Sequence, residues 1–246
     1  MRRICEKPDK RLLPKIKSIA SERPGYGYRR VTAVLNRETE EAVNHKRVYR
    51  IMKENQLLLQ RHERRPRRAH TGKIVVLRSN TRWCSDSFRI QAWDGSHVEV
   101  AFSKDCCDRE VIAWAASTRG IDGGLIRDLM AMSVEKRFPD RRALPQTIQW
   151  LSDNGSGYTA NETVAFGRSL GFDVVTTPAY SPQSNGMAEA FVKRFKYDYV
   201  YHKDLSSAER ILEQLDGWFE DYNEHHPHKG LGMKSPREYL RANAAR

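Results

Sequence analysis

The segment Thr147-Ile-Gln-Trp-Leu-Ser-Asp-Asn-Gly-Ser-Gly-Tyr158 joins a short apolar strand pattern to an abrupt polar turn. The apolar run ends at Ser152, and Asp153 follows it directly, with two glycines beyond that permit a tight turn and the close approach of a ligand. Because functional sites collect beyond the carboxyl ends of strands in open α/β sheets, Asp153 is a candidate site residue. Asp-Asn-Gly is also a common turn sequence, so this segment alone leaves both interpretations open.

The patterns around this segment predict the rest of a sheet. Alternating or apolar runs predict strands at 82–93, 97–102, 110–116 and 172–177. Helical spacing predicts helices at about 122–137, 160–170 and 185–202, and an amphipathic helix in the last 40 residues. Three antiparallel strands followed by alternating helices and strands predict an α/β domain with a mixed sheet, in which the first strand lies beside the fourth.

Two further carboxylates become candidates through the elements that carry them. Asp86 lies inside the first predicted strand, where an unpaired buried charge is costly, and Glu189 lies in the first turns of the long helix. Taken singly, Asp86 could pair with an arginine, and Glu189 could simply favour a helix N-terminus. With the first strand beside the fourth, however, Asp86, Asp153 and Glu189 would converge and repel one another. Their convergence predicts compensation by a divalent cation, Mg²⁺ or Mn²⁺.

The long helix has two contrasting faces. Glu189, Lys193 and Lys196 are spaced i, i+4 and i+7, which places them on one face of a helix. The opposite, core-side face is apolar and consists of Met187, Phe191, Phe195 and Tyr199. A Glu-Lys pair at this spacing is often only an exposed ion pair. Next to a metal site the same two lysines would contact the DNA backbone, and this is the prediction for Lys193 and Lys196.

The net charge of +12 is confined to the start of the chain. Residues 1–70 hold 20 Lys+Arg and 8 Asp+Glu, whereas the remaining residues hold equal numbers of both. Such a block is typical of a module that binds a polyanion. Helical patterns within 11–58, the third one preceded by the N-cap residue Asn44, are compatible with a helix-turn-helix, although small helical bundles that bind no DNA share them.

Two groups of arginines in this block are predicted DNA contacts. Arg47 and Arg50 lie on the third predicted helix and are expected to contact bases. The segment 61–68 is too polar to pack, so we expect it to follow the phosphate backbone. Its candidate contacts are Arg64, Arg65, Arg67 and Arg68.

Composition excludes several classes of protein. No segment approaches the ~20 apolar residues that cross a bilayer, and no apolar segment follows the basic N-terminus as in a secretory signal. The four cysteines lack zinc-site spacing and are interpreted as reduced core thiols. The sequence therefore predicts a cytoplasmic protein with no membrane partner.

The motifs resemble a known family. The order Asp86, Asp153, Glu189, with 35 residues between the last two, resembles the D, D-35-E signature of integrase-core transposases and retroviral integrases. The surrounding residues are similar to those of transposases from frameshifting, two-reading-frame bacterial insertion sequences. These motifs are Trp83-x-x-Asp86, Asp153-Asn-Gly-Ser156, Ser181-Pro-x-x-Asn185-Gly-x-Ala-Glu189, Tyr26-Gly-Tyr-Arg-Arg30 and the tail from Tyr222-Asn223 to Ser235-Pro236. Two departures are His226, where an arginine is expected, and Ser87-Phe88-Arg89, which replaces an apolar-Thr pair.

The resemblance implies a ribonuclease-H-like core that binds two Mg²⁺ or Mn²⁺ ions and cuts DNA strands before joining their 3′-OH ends to other DNA. It implies that Asp86 bridges the ions, that Asp153 and Glu189 bind one ion each, and that Asn185 contacts the DNA backbone together with the two lysines. The implied partners are the terminal repeats of the element, target DNA, further copies of the chain at synapsis, and an upstream-frame protein or frameshift fusion.

Together these inferences predict four segments and leave two alternatives. The segments are a helix-turn-helix domain at 1–60, a basic linker at 61–80, a ribonuclease-H-like integrase catalytic core at 81–203, and a C-terminal helical extension at 204–246. A ribonuclease-H-type nuclease would share the carboxylates without needing the basic N-terminal module. A catalytically silent DNA-binding regulator would need the module but not all three carboxylates.

Overall fold

The computed structural model describes residues 9–60, 76–177 and 186–244, which form two compact units. The first unit combines the chain up to Thr71 with the segment His225–Ser235. The second unit combines Gly72–Glu224 with Pro236–Arg246. Within the described ranges, no helix is both long enough and apolar enough to cross a membrane.

The first unit is built from three helices, as the apolar spacing predicts. They are α1 (Asp9–Glu22), α2 (Tyr28–Thr39) and α3 (His45–Glu54). Their apolar faces meet in a single cluster whose most buried members are Leu12, Ile16, Val31, Leu35, Val48, Ile51 and Met52. The Asn44 side chain accepts a hydrogen bond from the Lys46 backbone N–H at 2.8 Å, which confirms the predicted N-cap of α3.

A segment from the far end of the chain completes this unit. The Arg37 guanidinium on α2 donates to the backbone carbonyls of His225 and Met233, each at 2.8 Å. The buried hydroxyl of Tyr26 hydrogen-bonds His226 Nδ1 at 3.0 Å. The sequence predicts one C-terminal extension at 204–246, whereas these contacts assign His225–Ser235 to the N-terminal helices.

The second unit contains a five-stranded mixed sheet of the predicted α/β class. Its strands are β1 (Arg82–Gln91), β2 (His97–Asp105), β3 (Val111–Ser117), β4 (Ile148–Ser152) and β5 (Phe172–Thr176), in the order β3-β2-β1-β4-β5. The pairs β1–β2 and β2–β3 are antiparallel, and the pairs β1–β4 and β4–β5 are parallel. The first strand therefore lies beside the fourth, as predicted.

Helices cover both faces of this sheet. α4 (Gly123–Arg137), the single turn α5 (Ser156–Thr159) and α6 (Asn161–Ser169) pack on one face, around Trp83 and Trp150. α7 (Gly186–Phe195) and α8 (Ala208–His225) pack on the other face, around Phe102. α9 (Pro236–Ala244) follows the tail segment. The helix predicted at 160–170 is present as α6, and the separate turn α5 precedes it because the backbone leaves the helical conformation at Ala160.

The long helix predicted at 185–202 is also modified. It is α-helical only as far as Phe195 and continues as a π-helical turn, Lys196–Val200. Phe195 and Tyr199 are buried, as the predicted core-side face requires, and Met187 is partly buried. The wider turn keeps Tyr199 against α8, where its hydroxyl donates to Asp221 at 2.8 Å.

A buried ion-pair network ties the connection between β2 and β3 to the end of α4. Arg137 donates to the carboxylates of Asp108 and Glu110, and its guanidinium lies 3.7 Å from Asp105. The side chains of Asp105 and Asp108 are fully buried. Burial is the main cause that raises the pKa of Asp105 to about 6, and the negative charge of Asp108 is the second. Arg137 therefore provides the positive charge that this acidic connection requires.

Replacing Arg137 by Ala should destabilise the second unit by about 3–5 kcal/mol, because it leaves buried carboxylates without their partner. The loss should be smaller at about pH 5 than at about pH 8. The raised pKa of Asp105 means that the folded chain takes up this proton at a higher pH than the unfolded chain. On acidification, Asp105 of the variant therefore becomes neutral in the folded chain at a higher pH than in the unfolded chain. This difference favours folding of the variant at low pH.

Arg127→Ala is the matched control for this prediction, because Arg127 lies on the same helix and pairs with the exposed Glu162. Such surface pairs contribute only about 0–1 kcal/mol. Urea denaturation of both variants at the two pH values gives the comparison. Equal losses for Arg127→Ala and Arg137→Ala would show that the buried network does not stabilise the fold.

Candidate active site

Asp86 is a partly buried residue on β1, the central strand of the sheet. β1 pairs in parallel with β4, and this register places Cys84 beside Leu151. Asp86 comes two residues after Cys84 on β1, and Asp153 comes two residues after Leu151, directly after the end of β4. Strand pairing therefore brings these two carboxylates, which are far apart in sequence, to the same level of the sheet.

Asp153 is exposed and begins the loop that follows β4. Its Oδ1 accepts a hydrogen bond from the backbone N–H of Gly155 at 3.1 Å, and a Cβ atom on Gly155 would lie 3.1 Å from the same oxygen. A Cβ atom on Gly157 would lie 3.3 Å from the backbone of Asp122. The sequence pattern predicts that both glycines permit a tight turn and the close approach of a ligand. The structure shows the tight turn at Gly155 and the close packing of Gly157 against the start of α4, and the approach of a ligand stays a prediction.

Tyr158 supports this loop, and no sequence motif singles it out. The Ser85 hydroxyl on β1 donates to the Tyr158 hydroxyl oxygen at 3.1 Å, so the loop after β4 is tied to the strand that carries Asp86. Burial raises the pKa of Tyr158, and the charges of Asp86 and Asp153 raise it further. The tyrosine is visible in the sequence, but its partner strand is defined only by the tertiary fold.

Glu189 lies near the start of α7 and is exposed. The apolar side of α7 packs on the sheet, with the rings of Phe191 and Phe102 4.5 Å apart. Phe88 belongs to the same core and lies two residues beyond Asp86 on β1. Because alternate residues of a strand share a face, Asp86 lies on the face that α7 covers.

The three carboxylates influence one another electrostatically. Burial raises the pKa of Asp86 to about 6, and the charges of Asp153 and then Glu189 contribute to the rise. Among the described residues, none of the three carboxylates forms an ion pair with a basic side chain, whereas Asp108 and Glu110 share Arg137. Asp86, Asp153 and Glu189 therefore retain negative charge that no basic side chain of the described residues compensates.

The donor chemistry of this group fits a divalent cation. Hard cations such as Mg²⁺ and Mn²⁺ prefer carboxylate oxygens, and their charge would offset the repulsion that adds to the effect of burial on the pKa of Asp86. Within 9–60, 76–177 and 186–244, no three His, Cys, Asp or Glu side chains stand close enough together to hold a metal ion. The exposed side chains of Asp153 and Glu189 would have to approach Asp86 to share one.

The predicted DNA-contacting lysines occupy different environments on α7 and the turn after it. Lys193 is exposed, whereas Lys196 begins the π-helical turn and is half-buried. The Lys196 amine lies 5.6 Å from the centre of the Phe88 ring, and burial lowers the pKa of Lys196. The third candidate, Asn185, lies outside the described residues.

The arginines predicted to contact DNA are only partly described. Arg47 donates to Asp9 Oδ1 at 2.8 Å, and Arg50 also donates to the Asp9 carboxylate. Both side chains are therefore engaged with α1. The linker candidates lie outside the described residues: Arg64, Arg65, Arg67 and Arg68.

Comparisons with known proteins agree with this geometry. Residues 77–182 and 170–236 match two models described as Integrase core domain, and residues 7–65 match a model described as HTH-like domain. A chain from the intasome of simian T-cell lymphotropic virus is similar in fold, with a TM-score of 0.54 at 14% identity, covering 92% of this chain and 73% of that one. The second unit is thus a ribonuclease-H-like catalytic fold of the integrase and transposase type.

Relatives that align over nearly the whole chain identify its family. The Escherichia coli transposases InsD for insertion elements IS2A/D/F/H/I/K and IS2D are each 46% identical to this chain over 250 aligned residues. Each alignment covers 99% of this chain and 82% of the relative. Because nearly the whole chain aligns at this identity, it belongs to the family of InsD transposases of insertion elements.

Proposed function

We propose that this chain cuts DNA strands at the ends of its mobile element and joins the freed 3′-OH ends to other DNA, acting on nucleoid DNA in the bacterial cytoplasm. The observation that carries the proposal is that the charges of Asp153 and Glu189 act on the partly buried Asp86, while none of the three carboxylates has a basic partner among the described residues. The InsD relatives, named as transposases, and the HTH-like first unit support the same function.

Asp86, Asp153 and Glu189 are the residues that would hold two Mg²⁺ or Mn²⁺ ions. When bound, such ions activate the attacking oxygen and stabilise the leaving oxygen of a phosphodiester exchange. Asp86, fixed on the central strand, would contribute to holding both ions. Asp153 on the β4 loop and Glu189 on α7 would each help to hold one ion.

The reaction proceeds by two successive exchanges at phosphorus. In the first, the oxygen of water forms a bond to phosphorus at the element end, and the bond from phosphorus to the 3′ oxygen breaks and leaves a 3′-OH. In the second, this 3′-OH attacks a phosphodiester of another strand, so that one new phosphodiester replaces the broken one. Neither exchange requires a covalent intermediate on the protein.

Contacts to the DNA backbone complete the proposed site. Lys193 on α7 and Lys196 at the start of the π-helical turn both follow Glu189, and their amines would bind phosphates of DNA that reaches the carboxylates. Asn185 is proposed to make a third contact. Because two element ends must be held together before joining, further copies of the chain are proposed to assemble on the DNA.

Asp86→Asn, Asp153→Asn and Glu189→Gln should each reduce strand cleavage and joining by at least about a hundredfold, since removing mere supporting partners of metal ligands already costs ~10–100-fold. The substitutions remove charge while nearly preserving shape, so DNA binding should persist. A labelled duplex carrying the terminal repeat, incubated with Mg²⁺, reports cleavage, joining and retardation together.

The controls for these variants are Asp173→Asn and Glu162→Gln, which make the same chemical changes at exposed positions. Normal joining by one of the three site variants would remove that residue from the site. Nicks without joined products from the unmodified chain would indicate a nuclease, and retardation without nicks would indicate a regulator.

Metal binding should also be visible without catalysis. Millimolar Mg²⁺ or Mn²⁺ should raise the melting temperature of the unmodified chain, because an ion that binds only the folded state stabilises it. Asp153→Asn should reduce this rise, whereas Asp173→Asn should not. Melting curves with and without the metal test this, and identical curves would argue against an ion site formed before DNA binds.

Lys193→Gln should weaken DNA binding and reduce the salt dependence of the affinity, by about 0.9 in the slope of log K against log salt for each phosphate that is no longer neutralised. Lys136→Gln is the matched control, because this exposed lysine lies on α4, on the opposite face of the sheet. A salt titration of both variants makes the comparison. Identical slopes would show that the α7 surface does not contact phosphates.

A further inference from the structure

Two sets of basic side chains in the first unit differ in whether they have acidic partners. Arg47 and Arg50 both bind the carboxylate of Asp9, whose side chain is only 23% exposed. Arg11 pairs with Glu41 at 2.6 Å. These arginines are already paired with carboxylates within the unit, and a DNA phosphate would have to compete with a carboxylate for them.

The second set lies on a neighbouring stripe of α3. Arg47, Arg50 and Glu54 are spaced i, i+3 and i+7, and this stripe is the one joined to α1 through Asp9. Lys46, Tyr49 and Lys53 have the same spacing one residue earlier along the helix. Lys46 and Lys53 are exposed, and neither forms an ion pair with an acidic side chain among the described residues.

Aromatic rings and one more cation lie beside this stripe. The Tyr49 ring is 5.0 Å from the ring of Tyr28, the first residue of α2, and the His45 ring stacks on Tyr28 at 6.2 Å. The guanidinium of Arg29 lies 5.1 Å from the centre of the Tyr28 ring. Arg29 is exposed and has no acidic partner in the described part of the chain. One side of α2 and α3 thus combines uncompensated positive charge with ring edges and hydrogen-bonding groups.

We propose that duplex DNA binds across the stripe Lys46, Tyr49 and Lys53 and the adjacent Arg29, while Arg47 and Arg50 hold α3 against α1 through Asp9. The inference rests on the proposed function, which makes DNA the partner, and it replaces Arg47 and Arg50 as the expected contacts. Duplex DNA fits this surface because its phosphates supply the negative charge that the unpaired cations lack. Residues early in the second helix of a helix-turn-helix face the base edges, which places Lys46 and Tyr49 nearest the bases.

The test compares two double variants of the full chain that remove equal charge from neighbouring stripes of one helix. The probes are a duplex carrying the terminal repeat of the element and a scrambled duplex of the same length. Lys46→Gln/Lys53→Gln should weaken binding to both duplexes and reduce the slope of log K against log salt by nearly two units, about 0.9 for each phosphate. Tyr49→Ala should reduce the preference for the terminal repeat about tenfold.

Arg47→Gln/Arg50→Gln should keep the salt slope of the unmodified chain and lower the melting temperature, since Asp9 loses its partners. Asp9→Asn should lower the melting temperature similarly, and combining it with the arginine variant should add little, because the three side chains act as one unit. Lys17→Gln, at an exposed position on α1, controls for a simple loss of charge.

The outcomes separate this inference from the proposed function. A salt slope that falls for the arginine variant, or that stays unchanged for the lysine variant, would overturn the inference while strand joining by the unmodified chain still supported the function. A chain whose DNA binding depends on Lys46 and Lys53 but which never cuts or joins DNA would support the inference and overturn the function. An unmodified chain that binds neither duplex would overturn both.

Discussion

The parallel pairing of β1 with β4 is the constraint on which the candidate site depends. The register that pairs Cys84 with Leu151 places Asp86, within β1, at the same level of the sheet as Asp153, directly after the end of β4. A slip of one residue would turn the side chains of β1 to the opposite face, away from α7. The core enforces the register, because Trp83 and Trp150 must be buried on one face while Phe88 and Phe102 are buried on the other.

The second unit contains two sets of acidic residues that differ in whether a basic side chain compensates their charge. At the end of α4, Asp108 and Glu110 share Arg137, so the charge is compensated within the fold. At Asp86, within β1, burial raises the pKa, and the charges of Asp153 and Glu189 add to the rise. The first arrangement compensates its charge with a basic side chain. The second leaves carboxylates without such a partner among the described residues, and perturbed pKa values of this kind cluster at functional sites.

Local patterns predicted much of the molecule. The apolar spacing of α1 to α3, the Asn44 cap, the five strands and the core-side face of α7 follow from interactions between residues a few positions apart, so the sequence specifies them. The three candidate carboxylates are also recognisable in the sequence, because each occupies a distinctive position on its element. Their shared effect on the pKa of Asp86 required the tertiary structure, since it depends on strand pairing.

By itself, then, the sequence determined the helices, the strands, their α/β class and the three carboxylates. Only the tertiary structure decided which charges are compensated and which segments pack together. Arg47 and Arg50 resemble DNA contacts in the sequence but bind Asp9, which precedes them by 38 and 41 residues. Likewise, His225–Ser235 joins helices formed by the start of the chain through bonds from Arg37. Periodicity reports only which side of an element is buried, whereas the choice of a distant partner depends on how the elements pack.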